Sequence, residues 1–216
     1  MSPIILASAS PRRRELFSLL NLPFVVHSVD VDETPRRGEA PEVLVARLSA
    51  TKAAAVVQQE TTPRDTLVVA ADTVVVVRGA ILGKPQTAGE AVEMLRQLRG
   101  RRHRVHSGVA VVETSTRRAV IHLKTTSVWM RPYSEDEIER YVASGDPLDK
   151  AGAYAIQHAA FQPVSHIEGC YAGVVGLPLS ALMEGLAHFG VVPPIRLSAV
   201  CRAWSGHACC AAPAPA

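Results

Sequence analysis

Two observations predict an α/β fold. Through roughly the first 190 residues, short apolar strand-like stretches alternate with helix-like stretches, the usual order in this class. Of the 216 residues, 48% are hydrophobic and 20% are charged, an ordinary globular composition with enough apolar surface for one domain or two small lobes. No internal repeat or strong linker divides this body. We therefore expect one folded unit over residues 1–194.

The predicted strands are apolar and rich in β-branched residues. The third strand is almost entirely apolar and is expected to stop abruptly at Asp72. A hairpin is expected around Arg78-Gly79, between the fourth and fifth strands. The strands are predicted over residues 4–7, 24–29, 66–71, 74–77, 80–81, 103–113 and 120–130.

The predicted helices have recognisable start and stop signals. Ser10-Pro11 supplies an N-cap followed by proline at the first helical position, and Ser134 with Glu137 forms a capping box. Gly100 and Gly190 are expected to end the third and the last helix. The helices are predicted over residues 12–20, 41–59, 87–98, 134–143 and 179–189.

From about Arg196 the pattern gives way to Ala, Pro, Cys and Ser, so we expect residues 195–216 to be a disordered tail without an assigned role. Three of the four cysteines lie in it. Their spacing, with Cys170 standing apart, matches neither a zinc site nor a disulfide framework.

Charge and hydropathy limit the classes of partner that the protein is expected to bind. The net charge of +3 suits an anionic ligand without requiring nucleic acid. The basic run at residues 101–104 lacks interleaved aromatic residues, and only 5% of the chain is aromatic, which favours a solvated hairpin over an RNA-binding surface. The first residues do not resemble a signal peptide, and no apolar run is long enough to cross a membrane. We expect a cytoplasmic protein.

The turn from the first strand into the first helix is a candidate phosphate site. Free backbone N–H groups and the positive end of the helix dipole favour an anion there. Ser8, Ser10, Arg12 and Arg13 add hydroxyl and guanidinium donors. The alternative is a capped helix with a solvated basic first turn.

Two acidic positions are candidates for metal binding and base catalysis. Asp30, Asp32 and Glu33 follow a strand, and carboxylates in such a place can hold Mg²⁺ together with substrate phosphates. The alternative is a solvated acidic loop. Asp72-Thr73 follows the apolar third strand, where α/β sheets collect ligands, so Asp72 is a candidate metal ligand or general base. The alternative is an aspartate that forms a turn.

Weaker candidates lie elsewhere. Lys84, between glycine and proline, could reach a phosphate or belong to a plain turn. Lys52 lies late in an Ala/Val-rich helix and is equally typical of a surface lysine. In residues 149–157, small residues allow close backbone approach and Gln157 offers an amide to a base edge, although a tight packing turn would look the same.

Taken in order, these motifs resemble the Maf family of nucleotide pyrophosphatases from about Ile4 to Phe189. The most specific pieces are Ser8-Ala9-Ser10-Pro11-Arg12-Arg13-Arg14-Glu15-Leu16, Ala71-Asp72-Thr73-Val74, Gly83-Lys84-Pro85, Asp149-Lys150-Ala151-Gly152-Ala153-Tyr154 and Val175-Gly176-Leu177-Pro178-Leu179. The resemblance implies a two-lobed fold related to inosine triphosphate pyrophosphatases, with a mixed sheet flanked by helices around a central cleft. It also implies a nucleoside triphosphate substrate, a divalent cation (Mg²⁺ or Mn²⁺) and often a homodimer.

The resemblance also assigns roles by position. Asp72 corresponds to the catalytic acid/base and, with Glu33, to the metal ligands. The phosphate-binding positions are matched by Ser8, Arg13, Lys52 and Lys84. The positions that set base preference are matched by Arg12, Thr73 and Gln157, all as in the dTTP/UTP branch.

This resemblance implies hydrolysis of dTTP or UTP to the monophosphate and pyrophosphate. We expect water to attack the α-phosphorus, with Asp72 as base and cations offsetting the charge of the triphosphate. Two alternatives stay open. One is a pyrophosphatase for methylated or deaminated purine triphosphates, and the other is a nucleotide-binding regulator of cell division without turnover.

Overall fold

Seven strands form one mixed sheet within residues 3–211, the part of the chain that the computed structural model describes. The strands run in the order β2-β1-β3-β5-β6-β7, and β4 pairs with β3. Their bounds are β1 Ile4–Leu6, β2 Phe24–Val26, β3 Leu67–Val77, β4 Ala80–Leu82, β5 Arg102–Glu113, β6 Ala119–Met130 and β7 Val164–Glu168.

Helices cover the sheet and connect its strands. The bounds are α1 Pro11–Ser18, α2 Pro41–Val57, α3 Ala88–Leu98, α4 Glu135–Ala143, α5 Tyr171–Val175, α6 Leu179–His188 and α7 Leu197–Ser205. Two short 3₁₀ turns, Asp146–Asp149 and Ala151–Ala153, follow α4. None of the helices in residues 3–211 is long and apolar enough to cross a membrane.

The direction of the strands follows from their connections. β1 pairs in parallel with β2 and with β3, and the helices α1 and α2 make the two crossovers that parallel strands need. The other pairs, from β3 through β7, are antiparallel. The hairpin predicted at Arg78-Gly79 is confirmed, because both residues have positive φ and Val77 pairs with Ala80.

Two apolar cores share the long central strands. Val69 and Ala71, in the first half of β3, belong to a core closed by α1, α5 and α6. Val75 and Val77, in its second half, belong to another core closed by α3 and α4. The fold therefore has two lobes, as predicted, and Asp72 lies at the point on β3 where one core gives way to the other.

The helix α2 packs on the other face of the sheet, very close to the strands. Its Ala53 and Val56 contact the side chains of Val68 and Ala70, which alternate with the residues that face the first core. Opposite Asp72 in the β3–β5 register is Gly108. A Cβ atom at Gly108 would lie 2.7 Å from the carbonyl oxygen of Val45 in α2. Because Gly108 has no side chain, α2 can approach the middle of β3.

Most of the predicted elements are present, and the differences have physical reasons. Each predicted helix is present within two residues at each end. The predicted end of a strand at Asp72 is wrong, because β3 continues through Asp72 to Val77. A single aspartate does not end a strand when its neighbours are β-branched and its carboxylate has a cationic partner. The sequence also gave no clear signal for β7, α5 and the two 3₁₀ turns.

The C-terminal residues differ from the predicted disorder. Residues 197–205 form α7, and Ile195, Leu197 and Trp204 pack against the first core. The apolar residues of α7 are spaced on one face, and this periodicity is hard to see beside the Ala- and Pro-rich residues that follow. Residues 212–216 of the predicted tail lie outside the described part of the chain.

We expect Gly108→Ala to lower the free energy of unfolding by about 1–3 kcal/mol, because the added methyl group forces α2 away from β5. Urea unfolding followed by circular dichroism measures this. The control is Gly89→Ala, at an exposed position in the first turn of α3, where the nearest atom to an added Cβ is 3.8 Å away. That change should stabilise by up to about 1 kcal/mol. Equal effects at the two sites would contradict the proposed close approach.

Candidate active site

A cleft of about 370 Å³ lies between the two lobes, a size that suits a small-molecule ligand. It is lined by eight of the nine residues that the sequence assigned to the site, namely Ser8, Arg12, Arg13, Glu33, Lys52, Thr73, Lys84 and Gln157. The ninth, Asp72, is buried directly behind Lys52. The structure therefore gathers the whole predicted set around one cavity.

The turn between β1 and α1 forms one wall of the cleft. The Oγ of Ser8 accepts a hydrogen bond from the backbone N of Ser10 at 3.2 Å. Ser10 caps the helix by accepting from the backbone N of Arg13, and Pro11 occupies the first turn. The predicted cap is confirmed. The turn keeps its remaining N–H groups and the positive end of the helix dipole at the wall of the cleft.

A buried ammonium group joins two carboxylates at the centre of the site. The Nζ of Lys52 lies 2.6 Å from Oδ1 of Asp72 and 2.6 Å from Oε1 of Glu33. The side chains of Lys52 and Asp72 are only 10% and 7% exposed, whereas that of Glu33 is 51% exposed. Lys52 is thus not the surface lysine that α2 alone suggested. Its burial requires a carboxylate partner, because an unpaired charge in this place would be costly.

The half-buried Glu33 is held in its ionised form by surrounding cations. Partial burial, the largest single influence, acts to raise the pKa of its carboxyl group. The hydrogen bond and charge of Lys52, with the charges of Lys84 and Arg13, outweigh burial and bring that pKa below its ordinary value. The loop after β2 therefore places a carboxylate, rather than a neutral acid, in the cleft.

Arg13 is held by the C-terminal end of α5, in the same lobe. Its Nε donates to the carbonyl oxygen of Gly176, 2.9 Å away. Burial lowers the pKa of the guanidinium, and the charges of Asp72 and Glu33 partly offset this, so the group stays cationic. Gly176 has φ of +131°, and a Cβ there would lie 3.4 Å from Arg13 Nε. Glycine is therefore needed both for the backbone conformation and for room beside Arg13.

Thr73 is oriented by a buried hydroxyl that the sequence did not reveal. The Oγ1 of Thr73 and the Oγ of Ser107 are 3.0 Å apart, and Ser107 donates to the carbonyl oxygen of Gly173 at 2.8 Å. Ser107 faces Thr73 across the β3–β5 ladder. Only this strand register, which no local motif encodes, could have identified it.

Arg12 connects the two lobes through an ion pair. Its Nη1 donates to Oδ2 of Asp149 at 2.9 Å, and Lys150 Nζ holds the other carboxylate oxygen at 2.7 Å. Asp149 is more than half exposed. Exposed pairs of this kind are typically worth about 0–1 kcal/mol. An anionic ligand in the cleft can therefore compete with Asp149 for the guanidinium of Arg12.

The far end of the cleft is formed by residues 154–157. Tyr154 lines it, and its hydroxyl lies 2.8 Å from Nε2 of His103 in the core of the second lobe. Burial lowers the pKa of His103 to about 4, and within residues 3–211 its buried Nδ1 has no hydrogen-bond partner. Gln157 is exposed at the cleft, and the next residue, His158, accepts a hydrogen bond from the backbone N of Phe161. Tyr154 and His158, which lie before and after Gln157 in the chain, are thus held by hydrogen bonds.

The carboxylates of Glu33 and Asp72 fit a divalent cation in part. Since each lies 2.6 Å from the same nitrogen, the two oxygens are no more than 5.2 Å apart. Within residues 3–211, no three His, Cys, Asp or Glu side chains converge as a metal-binding group. The donor set is therefore two carboxylates, to which a substrate would add phosphate oxygens, and this is the combination that Mg²⁺ favours.

A family model matches most of the chain. Residues 3–189 match the family model described as Maf-like protein. The chain belongs to the Maf family.

Curated relatives are similar to this chain along most of their length. The dTTP/UTP pyrophosphatase of Pelotomaculum thermopropionicum is 47% identical over 190 residues, 88% of this chain and 98% of the relative. That of Moorella thermoacetica is 48% identical over 191 residues, 88% and 97% of the two chains. That of Thermomicrobium roseum is 50% identical over 177 residues, 82% and 79% of the two chains.

Two solved structures, a dITP/XTP pyrophosphatase from Mycobacterium abscessus and the Ham1 protein of Staphylococcus aureus, resemble part of the Maf chain. Both are 18% identical to it, with TM-scores of 0.40 and 0.42. They cover 60% and 61% of this chain, and 75% and 73% of their own.

We expect the stability of the second lobe to fall as His103 becomes protonated. Its pKa is lowered from 6.5 to about 4 on folding, so its neutral form stabilises the fold fully above pH 6.5, and this contribution is lost as the pH falls towards 4. Over this range the free energy of unfolding of the wild type should fall by on the order of 2–3 kcal/mol more than that of the His103→Gln variant. Urea unfolding at pH 7, 5.5 and 4.5 measures the difference. Parallel pH profiles for the two proteins would show that His103 is not held neutral.

Proposed function

We propose that this Maf protein is a nucleoside triphosphate pyrophosphatase that hydrolyses dTTP and UTP to the monophosphate and pyrophosphate. The observation that carries the proposal is the pairing of Lys52 with Asp72 and Glu33 at the centre of a cation-lined cleft. The names of relatives at 47–50% identity support the same activity. The substrate is a nucleotide, and neither nucleic acid nor a membrane is part of the reaction.

The triphosphate binds along the β1–α1 turn. The N–H groups of the first turn of α1 and the hydroxyl of Ser8 bind phosphate oxygens, and Arg13 and Lys84 offset their charge. Arg13 is already held by Gly176, so little freedom is lost when it binds. Because the negative charge of the triphosphate repels a nucleophile, this neutralisation is a precondition for attack at the α-phosphorus.

Asp72 acts as the base that orients and deprotonates the attacking water. Lys52 engages its Oδ1, which leaves Oδ2 as the atom that accepts the proton. Lys52 balances the charge of the buried carboxylate and fixes its position, and it also contacts Glu33. In this proposal Lys52 has a second task, since its ammonium group lies at the cleft and can contact a phosphate oxygen.

Glu33 and Asp72 are the residues that would hold Mg²⁺ or Mn²⁺ together with phosphate oxygens. When bound, such a cation supplies Lewis-acid polarisation of the phosphoryl oxygens. The chain contributes the two carboxylates and the cationic side chains that surround them. Lys52, Lys84 and Arg13 outweigh the charge of the two carboxylates by one, and this excess positive charge faces the substrate phosphates.

Arg12, Thr73 and Gln157 select the pyrimidine base in this proposal. Gln157 presents an amide that can donate to and accept from a base edge. The positions of Arg12 and Thr73 are set by Asp149 and Ser107. A cytoplasmic location, which nucleotide substrates favour, is part of the proposal, and the homodimer implied by the resemblance stays a prediction.

We expect Asp72→Asn to lower kcat for dTTP and UTP by about 10²–10⁴-fold, because the general base is lost. Pyrophosphate release is measured with Mg²⁺ or Mn²⁺ on dTTP, UTP, CTP, 7-methyl-GTP and ITP. The matched control is Glu39→Gln, a carboxylate in a partly buried ion pair with Arg47 outside the cleft. It should affect stability while leaving kcat within about threefold of the wild type.

The substrate panel separates the alternatives. A preference for 7-methyl-GTP or ITP would contradict the pyrimidine assignment and indicate the purine branch. Retained nucleotide binding without turnover in the wild type would indicate a regulator. Near-normal turnover in Asp72→Asn, with correct folding confirmed by circular dichroism, would show that another group is the base.

A further inference from the structure

The C-terminal segment, defined here as residues 195–211, is docked on the first lobe. The indole Nε1 of Trp204 donates to Oε1 of Glu15 in α1 at 2.7 Å. The ring of His207 stacks on Tyr171 at the start of α5, with 4.5 Å between ring centroids. The segment lies beyond residue 189, where the match to the Maf family ends. It therefore adds contacts to the family domain at the base of α5.

The four cysteines meet at this junction as two pairs. The thiols of Cys170 and Cys210 are hydrogen-bond partners, and so are those of Cys201 and Cys209. The Oγ of Ser180 lies 3.5 Å from the sulfur of Cys210, which fixes the position of this thiol between α5 and α6. One pair thus joins the segment to the Maf domain, and the other lies entirely within the segment.

Cys170 occupies a structural position next to the cleft. Its sulfur caps α5 by accepting from the backbone N of Gly173 at 3.3 Å, and its own N donates to Thr126 at 2.9 Å. The other end of α5 reaches the site, since Gly173 and Gly176 supply the carbonyl oxygens that hold Ser107 and Arg13. A covalent bond at Cys170 would therefore attach the segment to the helix that lines the cleft.

The two thiols of this pair differ in exposure and acidity. The hydrogen bond from Cys170 lowers the pKa of Cys210 to about 6, and Cys210 is exposed to solvent. The hydrogen bond with Cys210, and then burial, raise the pKa of Cys170. An accessible, acidic thiol beside a second cysteine is the arrangement found at redox-sensitive sites.

We propose that Cys170 and Cys210 form a reversible disulfide in response to a hydroperoxide, and that this bond anchors the C-terminal segment to α5. Disulfides of this kind are expected to be transient and redox-sensing in a reducing compartment. The bond closes a loop of about forty residues, which restricts the unfolded chain and so stabilises the folded one.

The chemistry is balanced between the two thiols and the oxidant. The Cys210 thiolate attacks the terminal oxygen of the hydroperoxide, its O–O bond breaks, and the oxygen stays on sulfur as a sulfenic acid while an alcohol leaves. The Cys170 sulfur then attacks the Cys210 sulfur, the S–O bond breaks, and water leaves with the thiol proton. The two thiols lose two protons and two electrons in total, and one hydroperoxide becomes one alcohol and one water.

The test treats the reduced full-length chain with one equivalent of hydrogen peroxide, blocks free thiols and digests with trypsin. Cleavage after lysine and arginine places Cys170 in peptide 151–196 and Cys210 in peptide 203–216. Because the second peptide also holds Cys209, the decisive protein is the double variant Cys201→Ser and Cys209→Ser. The control is Cys210→Ser, which keeps the other three cysteines.

We expect mass spectrometry to find peptides 151–196 and 203–216 joined in the wild type and in the double variant, but not in Cys210→Ser. The mass of the oxidised monomer should be lower by two hydrogen atoms for this disulfide. Its Tm should rise by about 5–10 °C and should return to the value of the reduced protein after dithiothreitol is added. These readouts do not depend on pyrophosphatase activity. They therefore separate this proposal from the proposed function.

Three results would overturn the proposal. The first is a disulfide only between Cys201 and Cys209. The second is addition of oxygen to Cys210 in the double variant without a crosslink to Cys170. The third is an unchanged Tm after complete crosslinking, since the bond would then not anchor the segment.

Discussion

The ammonium group of Lys52 is the constraint on which the rest of the site depends. It is buried within 2.6 Å of both Asp72 and Glu33, so three separate parts of the chain must meet at one nitrogen. Helix α2 brings the lysine, β3 brings the aspartate, and the loop after β2 brings the glutamate. Removing Lys52 would leave two carboxylates with no ammonium group between them, one of them in a poorly solvated place, and this typically costs more than the pair itself contributes.

The architecture makes this meeting point possible. The first and second halves of β3 belong to different apolar cores, and the cleft opens where the two cores part. Asp72 lies at that change, and Gly108 on the neighbouring strand lets α2 come close enough for Lys52 to reach it. Packing in the cores thus sets the position of the polar groups, and the polar groups in turn hold the cleft side of α2.

Much of the site was predictable because its motifs are local. The capped turn at Ser8 and Ser10 and the order of the Maf motifs identified the residues that line the cleft. The role of Ser107 was not predictable, because it depends on the strand register that places it beside Thr73. The continuation of β3 through Asp72 was not predictable either, because it depends on a lysine twenty residues away. The helix in the C-terminal segment was not predicted, because it is stabilised by packing of its apolar face against the first core.

The most direct test of this account is a double-mutant cycle on the free energy of unfolding at pH 7, with Lys52→Met, Asp72→Asn and both changes together. Lys52→Met alone should cost about 3–5 kcal/mol, because two carboxylates then face each other without a cation. In the double variant the total should be smaller than the sum of the single effects by more than about 1 kcal/mol. Effects that add within about 0.5 kcal/mol would mean that the two groups do not depend on each other, and would contradict the central role of Lys52.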